Sequence, residues 1–280
     1  MTGLPALVRV APMKSKTLGM IGMVLGGLVG LSSPVFAETA PPSDKYTMAH
    51  LKAIVLDPGH GGENEGCIGP AKIREKVVTL QVGLMIEEVL KEKTEAKVIL
   101  TRREDVYVGL RERTRMANEQ GGNVFISIHM NASPSGSGVG IETFLLSTSS
   151  SSEEIRALVE REQEDLPMAT PMNEVRKEEL GSVLYDMKLR AAHSMSEKLA
   201  SKIQRSMVRK TGAVDRGVKQ APFAVLKEAE MPAVVLECGF LTHPKEGDKL
   251  LDPAYQRKLA EALVRGLIDF DKEIASERKK

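Results

Sequence analysis

Apolar and polar positions along residues 51–270 follow two alternating periodicities, which together predict an α/β fold. Short apolar runs ended by turn residues predict buried strands. Longer stretches with apolar residues three or four positions apart predict helices. The predicted strands are residues 52–56, 97–101, 123–128, 140–146 and 233–236, and the predicted helices are residues 74–93, 110–119, 184–207 and 253 onwards. Strands that alternate with helices imply a single α/β domain, 51–275, with helices on both faces of its sheet.

Residues 147–181 interrupt this alternation. They begin with a run of serine and threonine, continue with the highly charged residues 153–165, and contain two prolines. A serine followed by two glutamates is typical of a helix start. We therefore expect a helical insertion, weakly amphipathic, that lies over the surface of the domain.

The N-terminal residues resemble an export signal. Three basic residues precede an apolar run, 18–31, and small residues follow it up to Ala37. This pattern predicts a signal peptide, 1–37, followed by a flexible linker, 38–50. The alternative is a membrane anchor, but the apolar run is short of the roughly 20 residues that a spanning helix needs. We expect an exported protein without a membrane anchor after cleavage, in the periplasm or secreted.

Composition and charge exclude some classes of function. The 280 residues carry a net charge of +1, which lacks the basic excess typical of nucleic-acid binding. The chain has no tryptophan and only 4% aromatic residues, so stacking platforms for bases or sugars are not expected. Its two cysteines, Cys67 and Cys238, can be small buried residues, and a disulfide between them is the alternative.

Four residues that can perform acid–base or metal chemistry fall at the ends of predicted elements. They are His60, Glu75, His129 and Glu237. Two imidazoles and one carboxylate form a common catalytic zinc set that leaves one position for water. A further carboxylate outside that set can move the proton of the water. This inventory fits metal-assisted amide hydrolysis, although each residue taken singly has an ordinary structural explanation.

Several segments resemble one enzyme family. The sequences IVLDPGHGG at 54–62, SIHMNA at 127–132 and LECGFL at 236–241 are similar to those of the zinc-dependent N-acetylmuramoyl-L-alanine amidases of the amidase 3 type. The same holds for DRGVK at 215–219 and for seven residues of 101–118, which are Thr101, Arg102, Asp105, Leu110, Arg113, Ala117 and Asn118. The similar segments occur in the same order over nearly all of the predicted domain.

The resemblance implies a mixed, mostly parallel sheet and cleavage of the amide between the muramic acid lactyl group and the L-alanine of the peptidoglycan stem peptide. It also implies that His60, Glu75 and His129 are the ligands of one zinc ion. Glu237 is then the catalytic carboxylate. Glu63 and Glu65 are alternatives to Glu75 as the third ligand. The biological roles that follow are cell-wall remodelling or the separation of daughter cells.

Asn131, Arg216 and Lys219 are candidate substrate-binding residues beside the predicted site. The two cations could bind carboxylates of the stem peptide. Ordinary solvated charge is the alternative.

Some cell-division amidases of this family are similar in having an inserted helix between the second histidine and the catalytic glutamate. In those enzymes a glutamate of the helix covers the metal until a partner protein removes it. The segment 153–165 is rich in carboxylates, which include Glu153, Glu154, Glu160, Glu162 and Glu164. The candidates for this role are Glu153, Glu154 and Glu160. The hypothesis is autoinhibition relieved by an activator protein, and the alternative is a solvated surface segment.

Two other functions stay open. A zinc carboxypeptidase or endopeptidase that acts on peptidoglycan peptides would use the same metal set. A wall-binding or activator protein with an inactive site is a rival from outside the enzymes.

Overall fold

The computed structural model of the protein describes residues 45–150, 152–163 and 183–278. The expected signal peptide, 1–37, and residues 164–181 of the insertion lie outside the described residues. Among the helices of the described part of the chain, none combines the length and the apolar character needed to span a membrane.

The centre of the fold is one six-stranded sheet. Its strands are β1 (Ala53–Pro58), β2 (Lys97–Leu100), β3 (Val124–Asn131), β4 (Ile141–Leu146), β5 (Asp215–Ala221) and β6 (Ala233–Phe240). They are ordered β2-β1-β3-β6-β4-β5, and all neighbours run parallel except β4 and β6. β1, β3 and β6 are buried along their whole length, which explains their nearly continuous apolar sequences. The predicted mixed, mostly parallel sheet is confirmed.

Helices cover both faces of this sheet. In the described residues they are α1 (Glu75–Lys93), α2 (Leu110–Glu119), α3 (Glu153–Glu162), α4 (Val183–Thr211), α5 (Pro244–Leu251) and α6 (Pro253–Glu277). Apolar residues of α1, α4, α5 and α6 form one hydrophobic cluster with one face of the sheet. Apolar residues of α2 and α3 form a second cluster with the other face. The expected arrangement of helices on both faces is confirmed.

Side chains along the central strands alternate between the two clusters. On β3, Ile126 belongs to the cluster of α1, whereas Phe125 belongs to the cluster of α2 and α3. Because every second side chain of a strand shares a face, His129 and Glu237 lie on the same face as Phe125. Both are close to the carboxyl ends of parallel strands, where sites form in sheets of this kind. Cys238 belongs to the opposite cluster.

Residues 45–50, expected to be part of a flexible linker, are attached to the domain instead. The Asp271 carboxylate in α6 accepts hydrogen bonds from the backbone N–H groups of Ala49, His50 and Leu51 at 2.7–2.9 Å. It also accepts one from the Tyr46 hydroxyl at 3.1 Å. These hydrogen bonds supply partners for backbone groups that a solvated linker would leave to water, so the ordered domain begins earlier than predicted.

Two elements were not predicted. β5 is an edge strand in which exposed and half-buried residues alternate, so it lacks the apolar run of a buried strand. No element was predicted over the residues of α5, where His243 caps the first turn by accepting a hydrogen bond from the N–H of Glu246. Pro244 at its first position is typical of a helix start.

Candidate metal centre

His60 lies in a tight turn that directly follows β1. Its φ is 60°, in the left-handed region that residues with side chains rarely adopt, and Gly61 and Gly62 continue with φ of 125° and 59°. A Cβ atom on Gly61 would come within 2.2 Å of the Val106 carbonyl oxygen. Glycine is therefore required there, and the turn is held in a conformation that needs external support.

Two buried arginines supply that support. Arg113 donates hydrogen bonds to the carbonyl oxygens of Pro58 and His60, both at 2.8 Å. Arg102 donates to the carbonyl oxygens of Pro58 at 2.9 Å and Gly59 at 2.7 Å. Together the two guanidinium groups bind every carbonyl from Pro58 to His60, so they fix the backbone that carries the imidazole.

Asp57 neutralises Arg113 beneath the turn. Its carboxylate lies 2.8 Å from the Arg113 guanidinium and accepts hydrogen bonds from Thr101 at 2.6 Å and Ser127 at 2.7 Å. Burial raises the pKa of Asp57, but Arg113 and the two hydroxyl groups outweigh burial and lower it below its ordinary value. The group is therefore a buried anion with every oxygen bound.

We expect Arg113→Gln to destabilise the fold by about 3–5 kcal/mol, because it leaves the buried charge of Asp57 without its partner. Urea unfolding measures this, with Arg111→Gln, an exposed position of the same helix, as the control. The pKa of Asp57 is lowered in the fold, so the ion pair stabilises at pH above about 3.9 and is lost as the pH falls through the folded value. Equal stability of the two variants at pH 7 would contradict the assigned role.

Glu75 is the first residue of α1 and its carboxylate is fixed at both oxygens. Oε1 accepts a hydrogen bond from the N–H of Met130 and Oε2 accepts one from the N–H of Cys67, both at 2.9 Å. Oε1 also lies 3.1 Å from His60 Nε2 and 3.2 Å from His129 Nδ1. The carboxylate therefore presents one oxygen to both imidazoles.

The alternatives to Glu75 lie elsewhere. The side chain of Glu65 pairs with Arg74 at 2.7 Å and is 40% exposed. Glu63 is exposed as well. Of the three glutamates that the sequence offered as the third ligand, only Glu75 is in the cluster of candidate ligand atoms.

His129 brings the second imidazole from the end of β3. The two imidazole rings approach edge to face with their centroids 4.8 Å apart. A Cβ on residue 59 would come within 2.4 Å of the His129 ring, so only glycine fits at this position beside the imidazole. His60 Nδ1 lies 2.7 Å from the side-chain oxygen of Asn64, which fixes the ring nitrogen proton there and leaves Nε2 facing the cluster as a lone pair.

A fourth side chain, Glu162 of α3, completes the cluster. Its Oε2 lies 3.1 Å from His60 Nε2 and 2.8 Å from His129 Nδ1. The candidates expected in that place, Glu153, Glu154 and Glu160, all have exposed side chains. Glu153 and Glu154 pair with arginines instead. The carboxylate that reaches the cluster is thus Glu162, which corrects that selection.

The spacing of apolar residues in α3 indicates that Glu162 faces the domain. Ile155, Leu158 and Val159 are buried against the sheet in the second hydrophobic cluster. Glu162 follows Ile155 by seven residues, which is two helical turns, so it shares their face. Glu160 falls on the opposite, exposed face. The apolar face of the helix therefore determines which carboxylate enters the site.

The cluster fits a zinc ion. Its four ligand atoms, from His60, Glu75, His129 and Glu162, all lie within 4.8 Å of one another. Ligand atoms around tetrahedral zinc at 2.0–2.1 Å are about 3.4 Å apart, close to the 2.8–3.2 Å separations here. His60 Nε2 and Glu162 Oε2 are buried, and residues 45–150, 152–163 and 183–278 give neither atom a hydrogen-bond partner. Buried lone pairs that face one another in this way need a cation between them.

The charges of the cluster point the same way. Burial lowers the pKa of both imidazoles, but the carboxylates outweigh burial: Glu75 and Glu162 raise the pKa of His60 well above its ordinary value. They raise the pKa of His129 to about 10. The two buried carboxylates thus favour positive charge at this place, and a divalent cation would supply that charge with both imidazoles neutral as ligands.

Glu237 lies beside this cluster without belonging to it. It pairs in register with His129 on the neighbouring strand, and both of its oxygens are buried with no hydrogen-bond partner in the described residues. Burial and then the Glu162 carboxylate raise its pKa well above the ordinary value. A buried carboxyl group without a partner costs free energy that packing alone does not explain.

The three candidate substrate-binding residues meet at one further carboxylate, Glu142, which sequence reasoning missed. Glu142 lies opposite Glu237 in β4 and is buried. It accepts hydrogen bonds from Asn131 and Lys219, and its Oε2 lies 3.2 Å from Arg216 Nε. Asn131, Glu142 and Lys219 line a groove of about 320 Å³ together with residues of α3. Arg216 is at the edge of this groove through its contacts with Glu142 and Glu154.

Both cysteines are buried free thiols. The Cys67 thiol donates a hydrogen bond to the carbonyl oxygen of Met130 at 3.4 Å, and burial raises the pKa of both thiols. Neither belongs to the candidate ligand cluster, so their interpretation as small buried residues holds.

Comparisons with known proteins show the family to which the chain belongs. Residues 54–269 match the family model described as N-acetylmuramoyl-L-alanine amidase. The amidase AmiA of Escherichia coli K12 is 31% identical over 82% of this chain and 81% of its own length. The amidase AmiC of Escherichia coli O6:H1 is 28% identical over 82% of this chain, and the match spans only 55% of AmiC.

A solved structure is similar to this protein in its fold. The CwlD amidase of Clostridioides difficile, solved in complex with the GerS lipoprotein, superimposes with a TM-score of 0.58 and 26% identity. The match covers 78% of this chain and 98% of that one.

Proposed function

The chain belongs to the N-acetylmuramoyl-L-alanine amidase family, and we propose that it is itself a zinc-dependent amidase of peptidoglycan. The bond it cleaves is the amide between the lactyl group of N-acetylmuramic acid and the L-alanine of the stem peptide. The observation that carries the proposal is the convergence of two imidazoles and two carboxylates within 4.8 Å, beside a carboxyl group without a hydrogen-bond partner in the part of the chain that the structure describes.

His60, Glu75 and His129 would hold the zinc ion. When bound, zinc supplies the Lewis acidity that lets water ionise near neutral pH. Glu237 takes a proton from the attacking water as its oxygen adds to the amide carbonyl carbon. The carbon–nitrogen bond then breaks, and Glu237 delivers the proton to the departing amine of L-alanine. The products are a lactyl carboxylate on the glycan and a complete stem peptide.

Digestion of purified sacculi tests this activity. Mass analysis of the released fragments should find intact stem peptides that begin with L-alanine and a glycan without peptides. A zinc carboxypeptidase or endopeptidase would instead release shortened peptides and leave the lactyl amide intact, and that product pattern would refute the amidase assignment.

We further propose that α3 inhibits the enzyme. Glu162 occupies the fourth position of the cluster, which the catalytic water of a three-ligand zinc site would need. An activator protein that lifts α3 would open the site. The complex of the related CwlD amidase with a lipoprotein is consistent with protein partners for this fold.

The proposed setting is the cell envelope. The N-terminal pattern of residues 1–37 supports export, with the periplasm as the expected location. Cell-wall remodelling or daughter-cell separation is the role that fits an amidase restrained until a partner arrives. Substrate contacts in this setting are assigned to Asn131, Arg216 and Lys219, which border the groove beside the metal centre.

A further inference from the structure

The Arg216 guanidinium is held rigidly at one edge of the groove. Its Nε lies 3.2 Å from the buried Glu142 carboxylate, and the group stacks over the Phe240 ring at 4.9 Å from the ring centroid. Stacking on an aromatic face and a bond to a buried anion both restrict the orientation of a guanidinium. The opposite edge of the group, at Nη2, therefore points in a fixed direction towards α3.

The charges at this edge do not balance without α3. Glu142 is a single carboxylate, and it contacts two cations, Arg216 and Lys219. The remaining positive charge is met by Glu154 of α3, whose Oε1 lies 2.5 Å from Arg216 Nη2. Glu142 is buried, whereas the Glu154 side chain is 68% exposed. Glu142 is thus the fixed anion of Arg216, and Glu154 is an anion that leaves with the helix.

The same helix contacts the site at two points of known separation. Glu154 binds Arg216 and Glu162 binds the imidazoles, and eight residues of α-helix separate them, which is roughly 12 Å along the axis. An extended peptide covers about 3.3–3.6 Å per residue. A peptide whose scissile amide lies at the metal therefore reaches Arg216 with a group about three residues away.

We propose that Arg216 is the receptor for a free carboxylate of the substrate about three residues from the scissile amide, and that Glu154 occupies the place of this carboxylate while α3 is closed. The inference rests on the proposed amidase function and deepens it. It makes Arg216 a determinant of specificity for stem peptides that carry an acidic side chain at that distance, and it makes Glu142 and Phe240 positioning residues for the guanidinium.

The test compares two substrates within each protein. They are muramoyl tripeptides with an amidated C-terminus that differ only at the side chain of the third residue, a free carboxylate in one and its carboxamide in the other. Rates are measured with the zinc-loaded full chain carrying Glu162→Ala. Because both substrates meet the same protein, differences in zinc loading and in the folded fraction between variants cancel in the ratio of kcat/KM.

The Glu162→Ala protein should prefer the free carboxylate by roughly tenfold or more, mainly through KM, since a charge-assisted hydrogen bond is lost with the amide. Adding Arg216→Gln should reduce the ratio to about one. Arg156→Gln is the matched control, because the Arg156 side chain is 59% exposed and is not among the residues that line the groove, and this variant should keep the preference. A preference retained by the Arg216→Gln protein would overturn the proposal.

Equilibrium binding separates this proposal from the amidase function. The two free tripeptides, labelled for fluorescence anisotropy, should bind the Glu162→Ala protein with the same roughly tenfold difference in Kd, and Arg216→Gln should abolish the difference. If no variant cleaved either substrate, the amidase proposal would fail while this binding difference could still be read. Equal Kd values for the two tripeptides would refute the role of Arg216.

Discussion

Glu237→Gln is expected to retain zinc and to lower the hydrolysis of peptidoglycan by roughly 10²–10⁴-fold. Glutamine has the same shape but cannot accept a proton from water. Glu237 pairs in register with His129, and both oxygens of its buried carboxyl group lack a hydrogen-bond partner among the described residues. The substitution therefore removes a proton acceptor beside the ligand cluster. Release of dye from labelled sacculi measures the rate.

The melting temperature distinguishes a catalytic role of Glu237 from a structural one. A neutral amide in this buried place avoids the cost of a buried charge, so the variant should be at least as stable as the wild type. Glu160→Gln, an exposed position, is the control and should leave the rate unchanged. A Glu237→Gln protein that lysed sacculi as fast as the wild type would revive the idea of a wall-binding protein with an inactive site.

Glu162→Ala is expected to raise amidase activity by roughly tenfold to a hundredfold in the absence of any partner. The substitution removes the contacts of one carboxylate with His60 and His129, and a charge-assisted hydrogen bond contributes about 1.5–3 kcal/mol. The rise should be partial, because buried apolar residues of α3 still hold the helix on the domain. Leu158→Asp in addition should raise the rate further.

Glu160→Ala on the same helix provides the control for this experiment, because its side chain is exposed and does not enter the site. An alternative role for Glu162 is a permanent fourth ligand. In that case Glu162→Ala would lose zinc and activity together. An unchanged or lower rate in a folded, zinc-loaded Glu162→Ala protein would contradict inhibition by α3.

The sequence predicted the fold where local patterns agree with tertiary burial. β1, β3 and β6 are buried on both faces, so their apolar runs identified them. β5 escaped prediction because an edge strand buries little and its residues are mostly polar. The linker expected up to residue 50 was wrong over 45–50, since the hydrogen bonds that attach it come from Asp271, more than two hundred residues away.

The candidate site divides in a similar way. His60, His129 and Glu237 end strands that converge at one edge of the sheet, so their positions in the sequence already pointed to a common site. Glu162 could be chosen only by knowing which face of α3 packs on the sheet. Glu142 gave no signal, because one glutamate in a strand reveals its partners only when the neighbouring strands are known.

Arg113 shows a third case. It was part of the family resemblance, but its role depends on the left-handed turn at His60. Arg113 in α2 donates a hydrogen bond to the carbonyl oxygen of His60 in that turn. Long-range support of this kind has no local sequence pattern. The structure thus adds to the predicted ligands the groups that hold them in place.

Zinc content per chain tests the central claim most directly. The purified wild-type protein, loaded with zinc and then desalted, should retain about one zinc ion per chain by elemental analysis. His60→Ala, His129→Ala and Glu75→Ala should each lose it while remaining folded by circular dichroism, because each removes a ligand from the same cluster. Full zinc content in folded His60→Ala and His129→Ala proteins would contradict a metal centre built from these side chains.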